Sequence, residues 1–198
     1  MEWPATARFG LAVAPGNLGL VQDFLNTIGS GKTTPRPDLL GNLESAQHWA
    51  DSMIAHWTET DDLGWAKELP EMTEDDRLRL LALRAHLFNT LYQETATQPV
   101  PDPPVKPGDY RPAVTLTSQG VELKPDGDGW RYYETALLLE CHEAGTLDVL
   151  RRMKSCKAHG CDVVFYDRSN NNSGVWHDVK LCGNRANVRA HRQRVSAN

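Results

Sequence analysis

Leu20, Phe24 and Ile28 recur at every fourth position, which predicts a helix with one apolar face between Gly16 and Ile28, ended by Gly29-Ser30-Gly31. Just before it, Phe9 to Val13 reads as a short strand. A second helix is expected after Asn42, a residue suited to the N-cap, with Leu43, Ala46, Ala50, Met53 and Trp57 along one side. A third begins at Thr73, where Thr73 and Asp76 have capping-box spacing. Its apolar residues Leu78, Leu81, Ala85, Phe88 and Tyr92 are joined by a second stripe, Leu80, Leu83, Leu87 and Leu91, so it should be buried on more than one side. Beyond a connector holding six of the twelve prolines, from Pro99 to Pro112, polarity alternates in Ala113–Thr117, Val121–Lys124 and Trp130–Tyr133. These segments predict a three-stranded meander, followed by a helix from Glu134 to Glu143 that Gly145 stops. The expected class of this part is therefore α+β: a helical N-terminal body with a small antiparallel sheet.

Composition changes this picture at one place. The 198 residues carry a net charge of -5, yet residues 1–150 hold 11 basic and 23 acidic residues, and residues 151–198 hold 10 basic and 3 acidic. An acidic body thus precedes a basic tail, and a domain boundary is expected near residue 150. The N-terminus has no apolar run resembling a signal segment, and no stretch approaches the roughly 18 apolar residues of a membrane span, so a cytoplasmic protein without membrane contact is expected. In a reducing compartment, clustered thiols serve better as metal ligands than as disulfides.

Two motifs mislead. Gly29-Ser30-Gly31-Lys32-Thr33 looks like the end of a phosphate loop, but a helix precedes it, Asn26 stands where the first glycine belongs, and Pro35 and Pro37 would stop the helix that must follow. Asp126-Gly127-Asp128-Gly129 resembles part of a calcium loop but lacks the later Glu, and reads as a turn.

The tail carries the chemistry. Cys156 and Cys161 form a C-x4-C pair, His177 and Cys182 an H-x4-C pair, and fifteen residues separate the two. Zn2+ prefers four thiolate or imidazole donors in a tetrahedron, which two close pairs brought together by a hairpin supply. Val163–Tyr166 is strand-like, Asn170–Gly174 turn-like, and Val175-Trp176 could return antiparallel, so that knuckle, hairpin and the helix after Cys182 would make a C-terminal treble-clef-like zinc finger following the α+β body. His159 and His191 remain alternative fourth ligands at this level, and Cys141 reads as a buried thiol. Residues 183–195 are helix-compatible, which puts Arg185, Arg189 and Arg192 within about a 60° arc. With Lys180 and Arg168, and beside Lys154 and Lys157, they could contact DNA phosphates or base edges. Docking of the basic tail on the acidic body is the competing reading.

In the body, Asp23, Asn26, Thr27 and Arg84 interrupt or flank apolar faces. They could line a pocket for a small-molecule effector, or serve as caps and core hydrogen bonds. No arrangement distinctive of catalysis is present, so no enzyme is expected, and the absence of heptads leaves the oligomeric state open.

Leu181-Cys182-Gly183-Asn184-Arg185 resembles the signature of the CGNR zinc-finger family. The Arg-Arg-x-Lys-x-Cys lead-in at Arg151–Cys156, the strand ending in Asp167, and Trp176 before the third ligand agree with it. Residues 20–27, Leu-Val-Gln-Asp-Phe-Leu-Asn-Thr, and Arg84 in a Leu-Arg-x-x-Leu setting, resemble the ABATE domain that accompanies this finger. The resemblance implies a transcription regulator that joins a domain of unknown ligand to a DNA-binding finger. Two departures stand out: His177 replaces the family's usual third Cys, and Gly174-Val175 replaces commonly basic residues.

Overall fold

A computed structural model describes residues 2–30, 36–92 and 109–189. The chain opens with a single turn, α1 (Pro4–Ala7), then α2 (Leu18–Leu25), α3 (Leu43–Thr60) and α4 (Glu74–Tyr92). All eight residues of α2 are buried, so this short helix is the centre about which the others pack. The caps fall where the sequence placed them. Ser45 N donates to Asn42 Oδ1 at 2.9 Å, and Thr73 and Asp76 exchange bonds, Thr73 N to Asp76 Oδ2 at 3.0 Å and Asp76 N to Thr73 Oγ1 at 3.2 Å. In α4 the second stripe lies deeper than the first: Leu80, Leu83 and Leu87 are buried whereas Leu78 is exposed.

The expected three-stranded meander is a two-stranded hairpin. β1 (Ala113–Thr117) pairs antiparallel with β2 (Gly120–Lys124), from Ala113 opposite Lys124 to Thr117 opposite Gly120. Trp130–Tyr133, read as a third strand, is the first turn of α5 (Trp130–Thr146), which also runs through Gly145 rather than stopping there. Helix wins because Trp130, Tyr133 and Leu137 are spaced three and four apart and reach one core together; as a strand, Trp130 and Tyr133 would point to opposite faces. Tyr133 stands at the centre of that core, with the rings of Phe24, Trp49, Trp57 and Trp130 all 5.7–6.3 Å from it and steeply inclined.

Residues 9–13 form no strand. Gly10, at φ 64°, turns the chain after α1, and Phe9 and Leu11 pack against the C-terminal Cys cluster. In the tail, β3 (Met153–Ser155) pairs antiparallel with β4 (Val164–Tyr166), Ser155 opposite Val164. The partner of the predicted strand is therefore the lead-in to the first cysteine. Val175-Trp176 is not a strand; the Val175 carbonyl accepts from Lys157 N at 3.0 Å, and Trp176 packs against the cysteine cluster. A π-helical turn, Val179–Gly183, leads into helical residues 184–189. Met153 and Val164 belong to the same core as α2–α5. Among the described residues no helix is long and apolar enough to cross a membrane.

Candidate metal centre

Cys156 and Cys161 flank a knuckle that closes on itself: Cys161 N donates to Ala158 O at 2.9 Å, and Cys156 N to Val163 O at 2.9 Å. Gly160 supplies the left-handed step inside it, at φ 69°. The second pair arrives on the π-helical turn. Asp178 caps that turn through Leu181 N at 2.8 Å, and Cys182 N donates to Asp178 O at 2.8 Å, so the backbone after His177 is fixed to present Cys182 inward.

The hairpin between the pairs is held by one buried carboxylate. Asp167 accepts from Lys154 Nζ at 2.7 Å, Ser169 N at 2.9 Å and Gly174 N at 2.6 Å. Burial would raise this carboxyl, but the ammonium and hydroxyl and backbone donors outweigh it and hold the group well below the usual carboxylate range. A Cβ on Gly174 would lie 2.9 Å from Asp167 Cγ, so glycine is what lets the loop close over that carboxylate.

The donor atoms of Cys156, Cys161, His177 and Cys182 all lie within 4.8 Å of one another. Cys161 Sγ is 3.2 Å from His177 Nδ1, Cys182 Sγ is 3.6 Å from the same nitrogen, and the two sulfurs are 3.7 Å apart. Those edges suit a tetrahedron of sulfur and nitrogen about an ion with bonds of about 2.3 Å to S and 2.0 Å to N. The three cysteines are buried. Hydrogen bonding from Cys161 pulls the Cys156 thiol down to about 4, and the same contact pushes Cys161 up. Burial, reinforced by the charge on Cys156, raises Cys182 to about 11. Three thiols so close resist ionising together, and a dication is what such a set requires. The donors fit one structural Zn2+. Of the alternative ligands, His159 is exposed and outside the cluster, and His191 lies outside the described residues.

Two contacts with the N-terminal body at this site were not legible in sequence. Ser30 Oγ donates to the Cys161 carbonyl across 131 positions, and the Phe9 ring meets the His177 ring edge-on at 6.3 Å. No local pattern marks either residue, since both act only through tertiary proximity.

Arg185 and Arg189 are exposed on helical residues 184–189, and Lys180 is exposed on the π-helical turn; Arg192 lies outside the described residues. Arg168 is exposed too, but its guanidinium donates to Val13 O and lies 5.6 Å from the Tyr166 ring centroid. Lys154, counted among the basic neighbours, is instead a structural residue, its ammonium held by Asp167 and by the carbonyls of Asn172 and Gly174.

Asp23, Asn26, Thr27 and Arg84 are all buried. Asp23 accepts from Thr6 N at 2.7 Å and Trp49 Nε1 at 2.9 Å. Arg84 donates to Thr27 Oγ1 at 2.9 Å and grips Asp38 through both terminal nitrogens, at 2.8 and 2.6 Å. Asn26 meets the finger itself: Oδ1 accepts from Val164 N and Nδ2 donates to Val164 O, each at 2.9 Å. The structure brings the four to one region of the core and gives each a protein partner there.

A closed Cys3His site built from a knuckle, a hairpin and the entry to a helix defines a zinc finger. Residues 152–195 match the model of the CGNR zinc finger family. No curated protein matches the chain.

Proposed function

We propose that the protein is a DNA-binding transcription regulator whose finger makes the nucleic-acid contacts and whose N-terminal, ABATE-like body is regulatory. The observation that carries this reading is the placement of Arg185 and Arg189, exposed on the helical segment that starts two residues after a zinc ligand. Four protein donors would complete a tetrahedron, so the ion's chemistry is structural: it ties the knuckle to the helix entry and leaves no position for a reactive water. Cys156 and Cys161 hold the knuckle, His177 and Cys182 hold the turn, and Arg185, Arg189 and Lys180 meet phosphates from that rigid support. The reading is non-enzymatic and places the protein in the cytoplasm.

The test is DNA binding by the zinc-loaded chain over a range of salt. Affinity should fall with salt at a log–log slope of about -0.9 per phosphate contact, and Arg185→Gln with Arg189→Gln should flatten the slope by about 2. Binding that ignored salt, or that survived both substitutions, would overturn the proposal.

A second reading has its own support. Val179, Leu181 and Val188 are 69%, 61% and 50% exposed on the same face-bearing segment. Three exposed aliphatic side chains next to arginines suit a protein-docking surface. A zinc-loaded chain with no nucleic-acid affinity at low salt would favour that reading.

A further inference from the structure

Beside the metal centre, where the finger meets the N-terminal segment, lies a cavity of about 310 Å3. A single water occupies roughly 30 Å3 of liquid, so this space is far larger than one ion needs. It sits at the lower end of the range of small-molecule sites, about 300–1,000 Å3. Its lining is unusual for a chain with an excess of acid. Arg8 and Arg36 from the body and Arg185 from the finger border it, and no aspartate or glutamate does among the described residues. Phe9, Val163 and Leu181 supply an apolar wall and Ser30 a hydroxyl, and the cavity opens onto the metal centre itself, where Cys161, His177 and Cys182 line it.

Two of these arginines are tied into the fold, Arg8 by its side chain and Arg36 by its backbone. Arg8 is anchored by donation to Pro37 O and Ile28 O, each at 2.9 Å. Arg36 is fixed next to Ser30 by an antiparallel backbone bridge, Ser30 N to Arg36 O at 3.1 Å and Arg36 N to Ser30 O at 2.7 Å. Arg8 Nε is itself buried and has no hydrogen-bond acceptor among the described residues. Burial and then the nearby charge of Arg36 lower the Arg8 guanidinium below its ordinary value, as expected where cations gather without enough counter-charge. Asp38, the carboxylate that offsets this most, is already gripped by Arg84.

We infer that this cavity binds a compact organic anion, a carboxylate or phosphate carried on an apolar body, in a site that the N-terminal segment and the finger build jointly. The anionic end meets Arg36 and Arg185, and the apolar end lies against Phe9, Val163 and Leu181. Neither half of the chain makes the site alone, because Arg8 and Arg36 come from one and Arg185 from the other. An occupant would therefore bridge the body to the helical segment that carries Arg185 and Arg189.

The experiment is calorimetry on the full, zinc-loaded chain without DNA, using phenyl phosphate and benzoate as probes and benzyl alcohol as the uncharged control. At least one anion should bind, and benzyl alcohol should bind at least tenfold more weakly. Arg36→Gln, at an exposed position, and Arg185→Gln should each weaken anion binding tenfold or more with zinc content unchanged, whereas Arg36→Lys should retain part of it. No heat from either anion, or equal affinity in wild type, Arg36→Gln and Arg185→Gln, would overturn the inference. Because DNA is absent from the measurement, its outcome is separate from that of the DNA-binding proposal.

Discussion

Both polar ends of the Asn26 amide are used on one residue, the N–H and C=O of Val164, so a single side chain at the C-cap of α2 acts as a short strand partner for β4. Replacing it by Ala leaves the buried Val164 N–H without its acceptor, while Val164 O keeps only the longer bond from Gln22 Nε2 at 3.4 Å. Asn26→Ala should therefore cost about 2 kcal/mol in urea unfolding, the scale of one buried donor left unmet together with a lost bond. Asp23, three residues earlier, gives a pH signature. Burial raises its carboxyl from 3.8 to about 6, and the Trp49 and Thr6 donors offset only part of that. The folded chain thus holds this proton more tightly than the unfolded one. Its contribution is fully present below about pH 4 and is lost as pH rises to about 6, a span of about 3 kcal/mol. Urea melts of zinc-loaded protein across that window should show the decline, and Asp23→Asn should remove its part of the slope.

At the scale of elements, the finger depends on two close approaches. Gly174 admits the Asp167 carboxylate, and a Cβ on Gly183 would come within 3.1 Å of Trp176 Cδ1. Gly174→Ala should push Asp167 away from Lys154 and from the backbone donors it holds, destabilising the hairpin by about 1–3 kcal/mol and weakening zinc retention against a chelator. Cys156→Ser should lose zinc outright, which metal analysis reads directly, together with the chemical-shift signature of β3 paired with β4. Elements also show where periodicity alone misleads. Thr73 and Asp76 announced α4 through a local hydrogen-bonding pattern that needs no partner element. Trp130–Tyr133 alternates like a strand, and only the position of the aromatic core about Tyr133 decides that it opens a helix. Phe9 to Val13 is strand-like by pattern but lies along the finger, where no strand offers it a ladder.

For the molecule as a whole, the contrast between an acidic body and a basic tail makes a charge clamp between them the natural expectation. Among the described residues, the contacts found between them are hydrogen bonds and apolar packing. Asn26 and Gln22 bond to Val164, Ser30 to Cys161 O and Arg168 to Val13 O, while Met153 and Val164 enter the common core. Hydrogen bonds of this type and apolar packing are little screened by salt. Amide-exchange protection at Val164 should therefore be the same at low and high salt, whereas DNA affinity should collapse across that range. A protection that vanished with salt would show that charge holds the finger in place.

Sequence by itself determined what depends on spacing and local chemistry: the two ligand pairs, the caps of α3 and α4, the buried stripe of α4, and the run that carries Arg185 and Arg189. Cys-x4-Cys and His-x4-Cys are legible because a knuckle and a helical turn are local structures, and a metal needs only that they meet. Tertiary structure decided what they meet. It selected His177 over His159, paired β4 with the lead-in Met153–Ser155, and turned Asn26 and Ser30 into supports for the finger. It also gathered Arg8, Arg36 and Arg185 around one cavity. These relations span more than a hundred positions and arise from the closure of a single core over both halves of the chain, which no window of sequence contains.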